Sequence, residues 1–243
     1  MRNHRLHWID PNSPPEAFPP VEIALRDPEG LLAVGGDLSP KRLLAAYRRG
    51  IFPWFVDGQP ILWWSPDPRC LFRPDAFHLS RSLRRTIRRS TFEVSFNQRF
   101  EAVVQACAEP RPNQDGTWIT RDMVNAYTEL HWDGWAHSVE ILDGDELVGG
   151  IYGIAIGRAF FGESMFSRRI DASKMAMAAL IRELTKRDFL LLDGQVESPH
   201  LLSLGAEMAP RDGFIRLLDT ACDAETPLTG LPAGIQPVGN LLA

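Results

Sequence analysis

The 243-residue sequence lacks several features that mark common classes of protein. Its three cysteines, Cys70, Cys107 and Cys222, are far apart and form no CxxC pair, so we expect reduced thiols rather than a disulfide framework or a structural zinc site. No apolar run approaches the roughly 18 residues of a membrane span, and the N-terminus lacks the apolar core of a secretory signal. We therefore expect a globular protein of the cytoplasm without a membrane segment.

The sequence also has no large excess of charge of either sign. Lysine and arginine total 26 against 31 acidic residues, and the net charge of −5 argues against a uniformly basic protein that coats nucleic acid. Hydrophobic residues at 44% and charged residues at 23% are ordinary values, which exclude wholesale disorder. The length suits one large domain or two small ones.

Familiar catalytic and cofactor-binding motifs are missing as well. The six histidines show no metal-ligand spacing, and the segment GESMF lacks the final glycine of a nucleophile elbow. The pattern GxxxxGK[ST], which forms a phosphate-binding loop, does not occur. We therefore predict no metal and no cofactor.

The chain divides into parts of different character. The stretch to about Pro20 is rich in proline, a helix is predicted over 40–49, and the segment 51–68 holds three tryptophans and four prolines, which forbid a regular helix. These features predict a small N-terminal domain over 1–67 and a larger domain over 68–223. The tail, 224–243, is rich in proline and glycine, and we expect it to be loosely ordered.

The larger part alternates between helical and strand-like patterns. Helices are predicted over 97–108, 121–133, 171–187, 198–204 and 211–221. A hairpin is predicted over 137–156 with its turn at Asp143-Gly144-Asp145, followed by a strand over 158–166 and a short apolar strand over 189–192. The order predicts an α/β (α+β) fold with a mixed sheet and a ligand crevice where the last strand ends.

Five arginines form the sharpest electrostatic signal. They follow one helical face at positions i, i+3, i+4, i+7 and i+8, with no acidic residue between Asp75 and Glu93, and they are Arg81, Arg84, Arg85, Arg88 and Arg89. Like charges at this spacing are unfavourable unless a partner offsets them. The face is either a solvated surface or, as we favour, a docking stripe for phosphates.

Aromatic and polar side chains indicate a pocket. Trp54, Trp118 and Phe160 are candidates for lining an apolar pocket or stacking on a base, although core packing is the alternative for each. Glu163 and Ser164 interrupt an apolar run, and Asp193 and Gln195 directly follow the apolar strand, on the same face by alternation. Polar groups at the exit of a buried strand are typical of a crevice. We favour a functional role for Asp193 over a satisfied structural acid, and both alternatives stay open for Glu163.

Taken in order, several segments resemble the leucyl/phenylalanyl-tRNA–protein transferase family. They cover roughly residues 18–221 and read GLLAVGGDLSPKRLLAAYRRGIFPWF, PILWWSPDPR, HLSRSLRRTIRRS, GTWIT, LVGGIYGIAIGRAFFGESMFSR, ASK and LLDGQVESPHLLSLGAEMAPR. The joint order and spacing of these segments make the resemblance specific.

The resemblance implies a cytoplasmic enzyme of the N-end rule pathway. Members of this family move Leu, Phe or sometimes Met from aminoacyl-tRNA to a protein with an N-terminal Arg or Lys, which marks that protein for degradation. It also implies an acyltransferase domain that resembles the GNAT fold, preceded by a small family-specific N-terminal domain. We expect a monomer whose partners are aminoacyl-tRNA and the acceptor protein.

With this resemblance, the candidate residues take roles. The arginine stripe becomes the tRNA-binding surface. Asp193 is predicted to accept or attract a proton from the acceptor amine and Gln195 to orient that amine, while Trp54, Trp118, Phe160, Glu163 and Ser164 are predicted to bind the aminoacyl group or the 3′ adenosine.

Two rival classes of protein stay open. One is an acyltransferase that uses a CoA thioester, against which the segment SRRIDASK argues because it has no glycine for a pyrophosphate loop. The other is a tRNA-binding module without catalysis, against which the polar residues at the crevice argue.

Overall fold

A computed structural model describes residues 6–77, 79–110, 119–223 and 228–242. Within these residues the helices are α1 (Pro40–Tyr47), α2 (Arg81–Arg89), α3 (Phe100–Ala108), α4 (Arg121–Trp132), α5 (Ala172–Thr185), α6 (Pro199–Ser203) and α7 (Arg211–Ala221). The strands are β1 (His7–Ile9), β2 (Leu31–Gly35), β3 (Phe52–Pro53), β4 (Leu62–Trp64), β5 (Arg69–Phe72), β6 (Glu93–Phe96), β7 (Ala136–Asp143), β8 (Glu146–Ile156), β9 (Ala159–Ser167), β10 (Leu191–Gln195), β11 (Glu207–Ala209) and β12 (Gln236–Pro237). Over the described residues, no helix combines the length and the apolar character needed to cross a bilayer.

The strands form two sheets. A four-stranded sheet has the order β1-β2-β4-β3, and an eight-stranded sheet has the order β11-β5-β10-β9-β8-β7-β6-β12. In the large sheet β9 and β10 pair in parallel, joined through α5, whereas the other neighbours pair antiparallel. The predicted mixed α/β architecture is therefore confirmed.

The predicted hairpin is present as β7 and β8, with Asp143 paired to Glu146 across the tight turn. The helix predicted over 97–108 begins later, at Phe100, because Asn97 adopts a positive φ of 58° and its side chain accepts a hydrogen bond from the backbone N–H of Ser138. Asn97 thus ties the loop to β7 instead of capping α3.

Two apolar clusters stabilise the fold by burying its hydrophobic side chains. The first contains Leu43 and Tyr47 of α1 together with Val104 of α3 and Phe161 of β9. It therefore includes residues on both sides of the predicted boundary at 67. The second cluster lies around α5 and includes Met175 and Phe160.

The arginine face is a helix with the predicted bounds. Ser80 caps α2 by accepting a hydrogen bond from the backbone N–H of Leu83. Leu83 and Ile87 are buried in the second cluster, whereas all five arginines are exposed. The helix packs against α5 and against residues 238–242.

The tail differs from the expected loose order over the residues that the structure describes. Gln236 and Pro237 form β12 at the edge of the large sheet, paired with β6. Leu228 and Val238 are buried in the second cluster. The proline- and glycine-rich composition of the tail did not predict these buried apolar side chains. Residues 238–242 pack against α2.

Candidate active site at the ends of the parallel strands

The site opens where the two parallel strands of the large sheet separate. The pairing of β9 with β10 ends at Phe161 and Asp193. The residues that follow, Gly162 and Glu163 on one strand and Gly194 and Gln195 on the other, line a cavity of about 770 Å³. A crevice at the carboxyl ends of parallel strands is where ligands bind in open α/β sheets, and it agrees with the crevice predicted from the sequence.

The cavity has an apolar body with a polar side. Its apolar walls include Ile151 of β8, Met177 of α5 and Leu192 of β10. Glu163, Ser164 and Gln195 are among the polar side chains that line the cavity. The volume suits a small organic ligand, and the polar side chains of the lining can orient it.

Glu163 is the centre of a buried network of hydrogen bonds. The hydroxyl of Tyr47 donates to its Oε1 at 2.7 Å, and the hydroxyl of Tyr127 donates to its Oε2 at 2.7 Å. The two hydroxyls are themselves 2.6 Å apart, and Gln195 donates from Nε2 to Oε1 at 2.8 Å. Burial raises the pKa of the Glu163 carboxyl to about 7, against the lowering effect of these donors.

Sequence reasoning missed the tyrosines. The chain has only three, and all three are buried around this carboxyl: Tyr47 from α1, Tyr127 from α4 and Tyr152 from β8. Burial is the main cause that raises the pKa of each phenol, and the Glu163 charge adds to it. The scarcity of tyrosine was the one available signal, but spacing along the chain could not bring the three together.

Asp193 lies beside the cavity rather than in it. It is fully buried, and both of its carboxylate oxygens accept from the guanidinium of Arg69, at 2.8 and 2.6 Å. Arg69 also donates to the carbonyl of Gly50, and its guanidinium stacks between the rings of Phe52 and Phe214 at 4.9 and 4.6 Å. This geometry favours a positioning role for Asp193 over direct contact with a substrate.

Gln195 joins the two carboxyl groups. Its backbone N–H donates to Asp193 Oδ1 at 2.8 Å, and its side chain donates to Glu163. Gln195 has a positive φ of 63°, and the register of β10 against β5 shifts between Asp193 and Gln195. Both residues therefore belong to β10 itself rather than following the strand, and the irregular backbone turns the Gln195 amide toward the cavity.

The predicted aromatic residues separate. Trp54 follows β3 on the small sheet, where it is 41% exposed and its ring lies 5.6 Å from that of Trp64. Phe160 is buried in the second cluster, where its ring packs against Gly153 of β8, and it is not among the residues that line the cavity. Trp118 lies outside the described residues.

The arginine face borders a second, shallower groove. Arg85 and Arg89 of α2 line it together with Arg169, Phe92 and the exposed Ile170. None of the ion pairs within the described part of the chain involves the five arginines of α2. Their charge is therefore available to an external anion.

No group of three or more His, Cys, Asp or Glu side chains that could hold a metal occurs over 6–77, 79–110, 119–223 and 228–242.

Over most of the chain, family models and similar proteins belong to one enzyme family. The family model described as leucyl/phenylalanyl-tRNA protein transferase matches residues 71–219, and the model for the N-terminal domain of that family matches residues 36–67. A leucyl/phenylalanyl-tRNA–protein transferase of Xylella fastidiosa (strain 9a5c) is 61% identical over 206 residues, which cover 84% of each chain. The protein of the same name from Xanthomonas euvesicatoria pv. vesicatoria is 62% identical over 199 residues, which cover 82% of this chain and 80% of the relative.

Two solved structures are similar in outline. L-PGS from Bacillus licheniformis matches with a TM-score of 0.41 and 9% identity, over 65% of this chain and 52% of its own. A GCN5-related N-acetyltransferase from Kribbella flavida matches with a TM-score of 0.36 and 13% identity, over 70% and 61%. Similarities this low support no functional argument.

Proposed function

Because this chain belongs to the leucyl/phenylalanyl-tRNA–protein transferase family, and so transfers an aminoacyl group from tRNA to a protein N-terminus, we propose that the donor is Leu-, Phe- or Met-tRNA and the acceptor begins with Arg or Lys. The cavity supports this choice of donor, because its apolar walls at Ile151, Met177 and Leu192 suit an apolar donor side chain that is unbranched or γ-branched. The product would be a substrate of the N-end rule pathway, and the reaction would be carried out in the cytoplasm by a monomer.

The observation that carries the proposal is the position of Gln195 at the cavity. Because its Nε2 is engaged by Glu163, its Oε1 is the group left to accept an N–H from an incoming amine. The amine nitrogen attacks the ester carbonyl carbon, the bond to the ribose oxygen breaks, and that oxygen takes up a proton as the amide forms. An α-amine has a pKa of about 7.7–8.0, so an appreciable fraction is neutral near pH 7 and little base strength is needed.

Asp193 is proposed to act through its neighbours. It fixes the backbone of Gln195 and holds Arg69, and neither contact requires it to take up a proton. Trp54 is proposed to stack on the 3′ adenosine, because an exposed tryptophan beside a second ring offers a flat surface to a base. Ser164 and the carboxyl of Glu163 are proposed to contact the aminoacyl end.

The tRNA is proposed to bind along α2. Arg81, Arg84, Arg85, Arg88 and Arg89 are exposed and unpaired within the described residues, and phosphates are the ligands that such a face attracts. Arg85 and Arg89 also edge the groove that includes Phe92. The helix packs on α5, which contributes Met177 to the cavity, so one helix connects the two surfaces.

We propose the domain division that the sequence predicts, with an active site to which both domains contribute. We assign 1–67 to the small N-terminal domain and 68–223 to the GNAT-like domain. Tyr47 of the first hydrogen-bonds to Glu163 of the second, and Arg69 donates to the carbonyl of Gly50. The active site would therefore need both domains.

The test is a transfer assay that separates the two surfaces. The full chain is incubated with Leu-, Phe- or Met-tRNA and a peptide that begins with Arg or Lys, and mass spectrometry detects the added residue. Gln195→Ala is expected to lower kcat with little change in tRNA affinity. Replacing Arg84, Arg85, Arg88 and Arg89 by alanine is expected to weaken tRNA binding and to flatten its dependence on salt, by about 0.7–0.9 in log–log slope for each phosphate that is no longer neutralised.

The matched control replaces Arg73 and Arg216, which are exposed like the α2 arginines but are paired with Glu207 and Asp212. This control is expected to leave the salt dependence unchanged. An equal loss in the control and the α2 variant would contradict the tRNA surface. Transfer from acetyl-CoA but from no aminoacyl-tRNA would overturn the proposed donor.

A further inference from the structure

The Glu163 network contains a closed ring of three groups, two phenols and one carboxyl, joined by three hydrogen-bond contacts that are called its edges below. Tyr47 and Tyr127 contact each other at 2.6 Å, and each contacts one oxygen of the Glu163 carboxyl at 2.7 Å. All three distances are those of short O–H···O hydrogen bonds. Each of the three edges therefore needs one proton between its two oxygens.

The two phenols supply only two of these protons. If Glu163 were ionised, both tyrosines could donate to the carboxylate, but the edge between Tyr47 and Tyr127 would then hold two facing lone pairs at 2.6 Å. If one tyrosine donated to the other instead, a phenol oxygen would face a carboxylate oxygen at 2.7 Å with no proton between them. Only a third proton, on Glu163, satisfies every edge.

One arrangement of protons also fits Gln195. In the protonated form the donor between Glu163 and Tyr127 is reversed: Glu163 Oε2 would donate to Tyr127, Tyr127 to Tyr47, and Tyr47 to Glu163 Oε1. The carbonyl oxygen Oε1 then accepts from Tyr47 and from Gln195 Nε2, which lies at 2.8 Å. Two acceptances match the two lone pairs of a carbonyl oxygen.

The charges around Glu163 agree with a neutral acid. The groups that face it are Tyr47 from α1, Tyr127 from α4, Tyr152 from β8, and Asp193 with Gln195 from β10. Arg69, a buried cation joined to this network through Asp193 and Gln195, is already paired with Asp193. None of the ion pairs among the described residues includes Glu163, and an unpaired buried carboxylate is costly.

We propose that Glu163 is protonated in the free protein, that it closes a ring of three hydrogen bonds with Tyr47 and Tyr127, and that this neutral ring fixes Gln195 toward the acceptor amine. The last part rests on the function proposed above. A neutral acid leaves the amine free to be neutral, whereas a carboxylate in the cavity wall would hold it as an unreactive ammonium ion. Glu163 is thus a positioning residue that also keeps negative charge out of the site.

The protonation state is tested on the full chain without tRNA or peptide, by difference infrared spectroscopy. The carbonyl stretch of a protonated carboxylic acid is expected at pH 5–6, absent in Glu163→Gln and lost as the pH rises through about 7. Glu140→Gln serves as control, because Glu140 is also buried but accepts from Ser95, Ser138 and Gln98, which form no closed ring with it. Absence of a Glu163-dependent band at pH 5 would overturn the proposal.

The ring itself is tested by the three tyrosines. Tyr47→Phe and Tyr127→Phe each open the ring, so the band is expected to move to higher frequency as the carboxyl loses a hydrogen bond. Tyr152→Phe is the matched control, since the buried Tyr152 hydroxyl has no hydrogen-bond partner among the described residues, and the band is expected to stay in place. A band that the first two variants leave unmoved would refute the ring, even if Glu163 were protonated.

The link to transfer is tested separately. Glu163→Gln is neutral at every pH and keeps an acceptor for Gln195 and a donor for Tyr127, so the pH profile of its kcat is expected to lack the wild-type decline above pH 7, whatever its absolute kcat. Glu163→Ala is expected to lose both the kcat and the band. Failure of the wild type to transfer any aminoacyl group would refute the proposed function and leave the infrared result standing, so the two failures are distinguishable.

Discussion

Asp193 and Glu163 are two buried carboxyl groups on neighbouring strands, and they are neutralised in different ways. Asp193 has a cation, Arg69, on both of its oxygens, whereas Glu163 has two phenols and an amide. Arg69 comes from β5, the neighbour of β10, so a buried cation offsets the charge of Asp193. Glu163 on β9 has no such cation, and the proposed proton neutralises it instead.

The difference assigns the two groups different tasks. The Arg69–Asp193 pair anchors the segment around Gly50 to the large sheet, since Arg69 donates to the carbonyl of Gly50. Glu163 instead faces the cavity and joins α1, α4 and β10 through bonds that depend on a proton. The first carboxyl is expected to affect stability at every pH near neutrality, and the second to respond to pH.

The largest expected effect comes from breaking the pair. Arg69→Met leaves Asp193 charged and buried without a partner, which is expected to lower the free energy of unfolding by about 3–5 kcal/mol. Chemical denaturation followed by fluorescence measures the change. The control is Arg73→Met, which removes an exposed pair with Glu207 and is expected to cost less than about 1 kcal/mol.

A second variant separates charge from shape at the same place. The double substitution Arg69→Met with Asp193→Leu removes both charges and is expected to recover much of the loss, because apolar groups often replace a buried pair without penalty. A double variant as unstable as Arg69→Met alone would mean that packing against Phe52 and Phe214, not charge, dominates.

A smaller effect is expected from the pH dependence of Glu163. Its folded pKa of about 7 lies above the ordinary value of 4.5, so the folded state holds the proton more tightly than the unfolded state. Stability from this group is therefore fully present below pH 4.5 and is lost as the pH rises toward 7. Between pH 5 and pH 8, wild type is expected to lose roughly 2–3 kcal/mol relative to Glu163→Gln.

The comparison with Glu163→Gln removes other titrations. Burial lowers the pKa of His137 to about 4, so protonation of this histidine destabilises the fold as the pH falls, but it does so equally in both proteins. Parallel stability curves for wild type and Glu163→Gln between pH 5 and pH 8 would show that Glu163 is ionised throughout.

Local patterns in the sequence predicted the elements but not the partners. The spacing of five arginines predicted α2, and the turn at residues 143–145 predicted the β7–β8 hairpin, because each signal lies within a few residues. Asp193 and Gln195 were found because polar residues at the end of an apolar strand stand out. The sequence pattern did not decide whether Phe160 lines a pocket or packs in the core, and the structure buries it in the second cluster.

Long-range pairs explain what was missed. Tyr47 lies 116 residues before Glu163, and Arg69 lies 124 residues before Asp193. No periodicity spans such distances, so neither the proton ring nor the buried ion pair was predicted. The resemblance to a family gave the candidate residues their roles, whereas the geometry supplied the reason that the two acids behave differently.

The smallest expected effect distinguishes a tyrosine that belongs to the hydrogen-bonded ring from a buried tyrosine that does not. Tyr127→Phe removes two edges of the ring at pH 5–6, and we expect a loss of about 1–2 kcal/mol because buried partners are left unsatisfied. Tyr152→Phe removes a hydroxyl that has no partner among the described residues, so its stability is expected to be equal to or slightly above wild type. Thermal unfolding of both variants at pH 5.5 measures the difference, and equal losses would mean that the phenols act by packing alone.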